Sequence, residues 1–133
     1  MLVLYSANAQ GMTIDRIVAY DFMTIYAGDL GVADNNLHGI NHFSFSELSS
    51  KRAICSEGVK MFVLEGLISV NKNRKGFIYS LTSTGKQYIR ELESNYKTQY
   101  LDILRNVQNK YEKLSDAELI KEINNTAVKT LRR

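Results

Sequence analysis

The chain has 133 residues, 44% of them hydrophobic and 23% charged, a composition typical of one globular domain and a length too small for a two-domain enzyme. Its formal net charge of +3 permits an anionic partner without requiring one, and a single cysteine excludes a disulfide framework and a multi-cysteine zinc site. The sequence has no secretion signal and no apolar stretch near the roughly 20 residues that span a bilayer, so we expect a cytoplasmic protein without membrane contact.

Apolar residues at helical spacing predict a helix from about Thr13 to Ala27, with Thr13 as its N-cap. The apolar positions on one face of this helix are Ile14, Ile17, Val18, Phe22 and Ile25. A stretch rich in Gly, Asn and Asp follows as far as His42, and its composition predicts a connecting loop that buries little surface.

Two helices are predicted between this loop and Gly66. Ser44 or Ser46 caps a short one, and Glu47 lies three residues after Ser44, as a capping-box partner would. An apolar stripe then predicts a second helix over residues 51–64. The stripe consists of Ile54, Gly58, Met61 and Phe62. Gly66 suits a left-handed C-cap, which would end this second helix.

A β-hairpin is predicted next, because two β-prone runs, 67–70 and 77–81, flank a turn that contains Asn and Gly. One of residues 82–84 then caps a helix with regularly spaced apolar and tyrosine residues, which either approaches thirty residues or breaks near Asn95. Ser115 and Glu118 form a second capping-box pattern. It predicts a final amphipathic helix with Leu119, Ile120 and Ile123, and the basic end at residues 129–133 is expected to be frayed.

The order of these elements predicts an α+β, mostly helical fold of the winged helix-turn-helix type, with an N-terminal helix and a long C-terminal helical extension. We assign the winged-helix domain with its N-terminal helix to residues 1–94. The helical extension packed on it takes residues 95–133.

A winged helix suggests DNA binding, with one helix in the major groove and the wing on phosphates. The candidate DNA contacts are Lys51, Arg52, Lys60, Lys72, Arg74 and Lys75. Against DNA binding, the first half of the groove helix offers few side chains able to reach base edges. The wing charges also fit a solvated turn kept soluble by its charge.

A closer match comes from three phrases of the sequence, at residues 16–22, 26–29 and 37–38. These phrases occur in the same order as in middle component 2 of the ABC three-component systems, and so do the segments at 46–48, 51–52, 57–59, 66–68 and 114–119. The chain resembles this family over nearly its whole length. The sequence departs from that family at residues 38–42, where a His-Pro-Ala-Thr-Pro phrase is usual. The family also has a few more residues before its first helix, so we expect a trimmed start with Leu2 to Ala9 as the remnant of an N-terminal helix.

This resemblance implies a small bacterial winged-helix-like subunit, encoded between an SMC-like ABC ATPase and an effector in systems such as the Lamassu type that act against phages and plasmids. It implies an adaptor and not an enzyme. We therefore expect a non-enzymatic adaptor without a cofactor, which docks on the ATPase and couples it to the effector. The alternative is a DNA-binding transcriptional regulator, and DNA contact inside the assembled complex stays open.

Four tyrosines after the hairpin are the candidate partner interface, because a tyrosine ring buries a large area while its hydroxyl stays hydrogen-bonded. They are Tyr88, Tyr96, Tyr100 and Tyr111. The alternative is that these rings cover the protein's own core.

Asp21 falls on the otherwise apolar face of its helix, where a carboxylate needs a partner. We expect a structural role, with hydrogen bonds from the following loop or an ion pair with Arg52 or His38. Asp29 and His38 are the other candidate structural polar residues.

The sequence offers little support for metal or catalytic chemistry. Asp29, His38 and His42 lack the tight spacing of a metal site. Cys55 is surrounded by apolar residues, which favours a buried and inert thiol. We expect no catalytic, cofactor or metal site.

Overall fold

A computed structural model describes residues 1–6, 11–33, 37, 45–74 and 76–131 of the chain. Within these residues the fold is α+β and mostly helical, as predicted, with one small antiparallel sheet. The elements in chain order are α1 (Leu2–Ser6), α2 (Ile14–Ile25), α3 (Phe45–Leu64), β1 (Ile68–Asn73), β2 (Gly76–Leu81), α4 (Ser83–Glu91), α5 (Asn95–Tyr111) and α6 (Asp116–Leu131). Among the helices described, none combines the length and hydropathy needed to cross a membrane.

Helix α2 lies at the centre of the fold because its apolar residues continue around most of its circumference. Eight of its 12 residues are buried, and such a helix is stable only when other elements cover it. Helices α1, α5 and α6 pack against α2, and their buried side chains join those of α2 in one hydrophobic cluster. Thr13 Oγ1 accepts a hydrogen bond from the Arg16 backbone N–H at 3.2 Å, which confirms the predicted N-cap.

Helix α1 confirms the predicted helix at the start of the chain over residues 2–6, and residues 7–9 of that prediction lie outside the described residues. Val3 and Leu4 are buried in the common cluster. The Gln108 side-chain amide on α5 donates a hydrogen bond to Ser6 Oγ at 3.0 Å, which fastens the end of α1.

The prediction of two helices before Gly66 is wrong, because residues Phe45–Leu64 form one continuous helix, α3. Residues 47–53 contain no Gly or Pro, so extending one helix through them costs less free energy than nucleating a second. Gly66 confirms its predicted role with φ at +78°. The Leu67 N–H donates to the Phe62 carbonyl at 2.9 Å and the Gly66 N–H to the Val63 carbonyl at 3.1 Å, which is a Schellman cap.

The predicted apolar stripe of α3 is also placed differently in the structure. Val59 is the buried residue of the described part of this helix, with Cys55 and Phe62 packed beside it, whereas Ile54 and Met61 of the predicted stripe are exposed. Helix α3 carries apolar residues on two sides, so periodicity alone does not decide which side meets the core.

The hairpin is confirmed, with β1 and β2 antiparallel and in register from Ile68↔Leu81 to Asn73↔Gly76. Met12, between α1 and α2, extends this sheet by an isolated bridge to Tyr79, with both backbone hydrogen bonds at 2.8 Å. Gly11 makes the close approach possible, because its φ is +73° and a Cβ there would lie 2.4 Å from the Tyr79 carbonyl oxygen.

The helical segment after the hairpin consists of two helices, α4 and α5. This confirms the predicted alternative in which the long helix breaks near Asn95. Ser94 caps α5 by accepting a hydrogen bond from the Lys97 N–H at 3.1 Å. The Lys97 ammonium donates to the Ile89 and Leu92 carbonyls at 2.8 and 2.9 Å and so satisfies the end of α4. Buried residues on both sides of this break belong to one hydrophobic cluster. The division into a domain of residues 1–94 and an extension of residues 95–133 stays a prediction.

Helix α6 begins with the predicted capping box. The Glu118 N–H donates to Ser115 Oγ and the Ser115 N–H donates to Glu118 Oε1, both at 3.2 Å. Leu119 and Ile123 are fully buried. Helix α6 continues to Leu131, so residues 129–131 are helical, and residues 132–133 lie outside the described residues. Fraying of the basic end stays a prediction.

Arg16 joins the start of α2 to the α5–α6 connection. Its guanidinium forms an ion pair with Asp116 at 3.0 Å and donates to the Leu114 and Glu112 carbonyls, both at 2.9 Å, and to the Tyr20 hydroxyl at 3.0 Å. One guanidinium therefore uses its planar fork of donors to bind four groups at once.

Candidate functional site

Asp21 lies where α2, α3 and α5 meet, and its carboxylate links all three helices. The Lys51 ammonium of α3 is 3.0 Å from Asp21 Oδ2, and the Tyr100 hydroxyl of α5 donates a hydrogen bond to Oδ1. Asp21 thus has the polar partners that its predicted structural role requires, but these partners are Lys51 and Tyr100 and not the predicted Arg52. Arg52 follows Lys51 on α3 and points toward an earlier turn of α2. There its Nε donates to Asp15 Oδ1 at 2.8 Å and forms an ion pair.

These groups border a cleft of about 310 Å³, which we call the Asp21 cleft. It is lined by Met1, Leu2, Val3, Ile17, Asp21, Lys51, Ile54, Cys55, Tyr96 and Tyr100. Tyr96 is half exposed at the edge of the cleft, and its ring centroid lies 6.0 Å from that of the buried Tyr100. Sequence reasoning singled out five members separately (Asp21, Lys51, Cys55, Tyr96 and Tyr100) and did not foresee that the fold brings them together.

The surroundings of three groups in the cleft, the Cys55 thiol and the Tyr96 and Tyr100 hydroxyls, favour their protonated forms. Burial raises the pKa of Tyr100 well above its ordinary value, and the charge of Asp21 and the hydrogen bond to it act in the same direction. Burial, followed by the charge of Asp21, also raises the pKa of the Cys55 thiol and the pKa of Tyr96. A thiol with a raised pKa is a poor nucleophile at neutral pH, so Cys55 is poorly suited to nucleophilic chemistry.

The four predicted interface tyrosines divide into two buried and two exposed side chains. Tyr100 and Tyr111 are buried in the common cluster, where they complete the inward side of α5 with Leu104 and Val107. Tyr88 on α4 and Tyr96 at the start of α5 are exposed. The interface prediction therefore depends on Tyr88 and Tyr96, while the other two rings cover the protein's own core.

The predicted DNA contacts do not gather on one surface with free charges. Lys51 and Arg52 are ion-paired with the two α2 carboxylates, and Lys60 lies 3.6 Å from Glu57 on the exposed side of α3. Lys72 and Arg74 are exposed near the tip of the hairpin. The remaining predicted contact, Lys75, lies outside the described residues.

The residues considered for a metal site contribute little to the described structure. Asp29 is half-buried in the turn that follows α2, whereas His38 and His42 lie outside the described residues. Among the residues that the structure describes, no group of three His, Cys, Asp or Glu side chains could hold a metal ion.

A second region, missed at the sequence level, is the solvent side of α3, which we call the α3 outward face. It consists of Ile54, Glu57, Gly58, Lys60, Met61 and Leu64 of α3, with Glu65 directly after the helix. Its three large apolar side chains are 72%, 60% and 88% exposed for Ile54, Met61 and Leu64. The signal was visible in the sequence as the Ile54–Gly58–Met61 stripe, but it was assigned to the core.

The two regions adjoin, because Ile54 belongs to the α3 outward face and also borders the Asp21 cleft. Exposed apolar or aromatic side chains therefore occur along α3, at Ile54, Met61 and Leu64, and at Tyr96 on the edge of the cleft. Groups of exposed apolar side chains occur at protein interaction sites.

Comparison with known proteins gives one result that covers the whole chain. No curated protein and no solved structure matches it significantly. The model of one protein family, described as ABC-three component (ABC-3C) system Middle Component 2, matches residues 1–133. The chain therefore belongs to the middle component 2 family of the ABC three-component systems, the family that its sequence resembles.

Proposed function

We propose that this chain is a non-enzymatic adaptor subunit of its ABC three-component system. In this role it docks on an SMC-like ABC ATPase, couples the ATPase to an effector and acts in Lamassu-like defence against phages and plasmids. Membership of a multi-component system's family supports the presence of partners. The observation that carries the adaptor role is the α3 outward face, with its exposed Ile54, Met61 and Leu64.

Exposed apolar side chains on one helix face favour a protein partner over solvent. Large apolar residues that point into water lower solubility. Their burial by a partner stabilises the complex by about 25 cal/mol per Å² of apolar area removed from water. The exposed Tyr88 and Tyr96 add aromatic rings, which are enriched at protein interfaces.

The Asp21 carboxylate and the Cys55 thiol of the Asp21 cleft support a role without nucleophilic or acid–base chemistry at these two groups. The Asp21 carboxylate is engaged by Lys51 and Tyr100, and the pKa of the Cys55 thiol is raised. A general base or nucleophile would instead need an unengaged group with its pKa adjusted toward neutrality.

The proposal includes a winged-helix-like fold, in which α3 would be the helix that precedes the wing. The bridge of Met12 to β2 supports this interpretation, since it adds a third extended segment beside the hairpin. Against this interpretation, α2 ends at Ile25 and α3 begins at Phe45, a separation much longer than the roughly 3–4-residue turn of a helix-turn-helix.

A DNA-binding regulator is the less supported alternative. The α3 outward face would meet the major groove, yet it carries Glu57 and Glu65 among apolar residues and would repel phosphates. Lys51 and Arg52 are already ion-paired with α2. Lys72 and Arg74 on the hairpin are the residues through which the chain would touch DNA within an assembled complex.

Co-expression with the other components of the same system tests the proposal. A tagged chain is expected to co-purify with the ATPase component in a fixed ratio, and Tyr88→Ala with Tyr96→Ala is expected to lower the yield of the complex while the isolated variant stays folded. The isolated chain is expected to show only weak, salt-sensitive duplex binding. Absence of the ATPase from the purified material, together with tight duplex binding by the chain alone, would favour the regulator.

A further inference from the structure

Gly58 lies in the interior of the 20-residue helix α3, where neither steric crowding nor backbone conformation requires a glycine. A Cβ at this position would meet nothing within 4 Å, and the residue does not have a positive φ. Glycine is the least favourable helix-interior residue apart from proline. Gly85 of α4 is the contrast, since a Cβ there would lie 2.2 Å from the Leu67 carbonyl oxygen.

The neighbours of Gly58 on the same side of α3 are large, apolar and exposed. Ile54 lies four residues before it and Met61 three residues after it, spacings that put all three on one helix face. The result is a notch in the backbone surface between two apolar side chains. A second helix that crosses α3 at such a notch approaches more closely, because interaxial distance depends on the side chains at the crossing point.

The charges around the notch indicate which kind of helix would fit. Glu57 and Glu65 lie on this face, and for Glu65 the described residues provide no ion-pair partner. Lys60 is 3.6 Å from Glu57, but both side chains are more than two-thirds exposed, so this pair holds Glu57 only weakly. Lys51 and Arg52 are engaged in ion pairs with the α2 carboxylates Asp21 and Asp15.

We propose that the α3 outward face is the docking site of a basic amphipathic helix that belongs to the ATPase component and crosses α3 at Gly58. The inference rests on the proposed function, and it adds the surface and the chemistry of the partner. Apolar residues of that helix cover Ile54, Met61 and Leu64, and its Lys or Arg side chains pair with Glu57 and Glu65.

A variant at Gly58 separates this role from a structural one. Gly58→Gln introduces a good helix former into open space, so the unfolding midpoint of the isolated chain is expected to rise by a few degrees. The same variant is expected to raise the Kd for the purified ATPase component about tenfold or more, because the side chain fills the notch. Asn106→Gln, at an exposed position of α5, is the matched control and is expected to leave both quantities unchanged.

Charge reversal tests the chemistry of the partner. Glu57→Lys combined with Glu65→Lys is expected to weaken binding about tenfold at low salt and by less as the salt concentration rises. Glu93→Lys combined with Asp102→Lys reverses two exposed charges elsewhere and serves as the control. Tighter binding by the Glu57 and Glu65 variant would overturn the proposal, since the partner would then be acidic.

The remaining outcomes distinguish the inference from the function on which it rests. If the wild-type chain binds the ATPase component and both test variants bind equally well, the docking site is wrong and the adaptor role stands. If the wild-type chain binds neither the ATPase component nor the effector, the adaptor role itself fails and the docking site fails with it. A wild-type dimer that Gly58→Gln converts to monomer would also overturn the inference, because a second copy would then cover the face.

Discussion

Both sides of α3 carry apolar side chains, but these side chains have different surroundings. On the inward side, Val59 and Phe62 pack against the core. Lys51 and Arg52 form ion pairs with carboxylates of α2. The outward side leaves Ile54 and Met61 in solvent. The comparison shows that hydrophobic periodicity finds a helix more reliably than it finds the buried face, because a helix with two apolar sides can bury either one.

The largest effect expected from this comparison involves two glycines. Gly85→Ala is expected to destabilise the fold by about 3 kcal/mol, because the new methyl group would collide with the backbone carbonyl of Leu67. Gly58→Ala on the outward side is expected to stabilise it by about 1 kcal/mol. Urea unfolding of both variants measures the difference, and a loss of stability in Gly58→Ala would mean that the outward side is packed.

Truncation of one apolar residue on each side of α3 gives the next largest contrast. Val59→Ala removes buried methyl groups and is expected to cost about 2 kcal/mol. Met61→Ala removes an exposed side chain and is expected to change the free energy of unfolding by less than about 0.5 kcal/mol. Equal losses in denaturant unfolding would contradict the assignment of the two sides.

The two ion pairs between α2 and α3 provide a third contrast. Asp21→Ala leaves the buried Tyr100 hydroxyl without its acceptor and is expected to cost about 1.5 kcal/mol. Asp15→Ala breaks an exposed pair with Arg52 and is expected to cost less than about 0.5 kcal/mol. Thermal unfolding of the two variants measures the difference. An unchanged melting curve for Asp21→Ala would show that the Asp21 carboxylate does not stabilise the fold.

The smallest expected effect is the alkaline limit of stability. The folded-state pKa of Tyr100 lies above the ordinary value of 10.0, so above that pH the unfolded chain releases a proton that the folded chain retains. Stability from this group is therefore present below pH 10 and is lost as pH rises toward the folded-state pKa. Tyr100→Phe is expected to flatten this decline relative to Tyr20→Phe, and equal slopes in unfolding experiments between pH 9 and 11 would contradict it.

Much of the fold could be predicted because its signals are local. Thr13, Gly66 and Ser115 act where their caps were expected, since a capping side chain or a left-handed glycine needs only its immediate neighbours. The hairpin follows from the turn residues between two β-prone runs. These features depend on a few adjacent residues, and the sequence contains all of them.

The features that sequence reasoning missed depend on residues that are distant along the chain. Whether Lys51 or Arg52 meets Asp21 depends on the rotation of α3 relative to α2, which no local pattern specifies. The separation of buried Tyr100 from exposed Tyr96 depends on where α5 starts after the break. The candidate surface was hidden for the same reason, because its apolar stripe resembles a core stripe.

Methionine oxidation tests the central claim that a partner covers the α3 outward face. Met61 is exposed, while Met12 and Met23 are buried and serve as internal controls in the same chain. With dilute peroxide and peptide mass analysis, Met61 is expected to oxidise much faster than the two controls in the isolated chain, and to become protected when the ATPase component is bound. Rapid oxidation of Met61 in the assembled complex, at the rate seen in the isolated chain, would contradict the account.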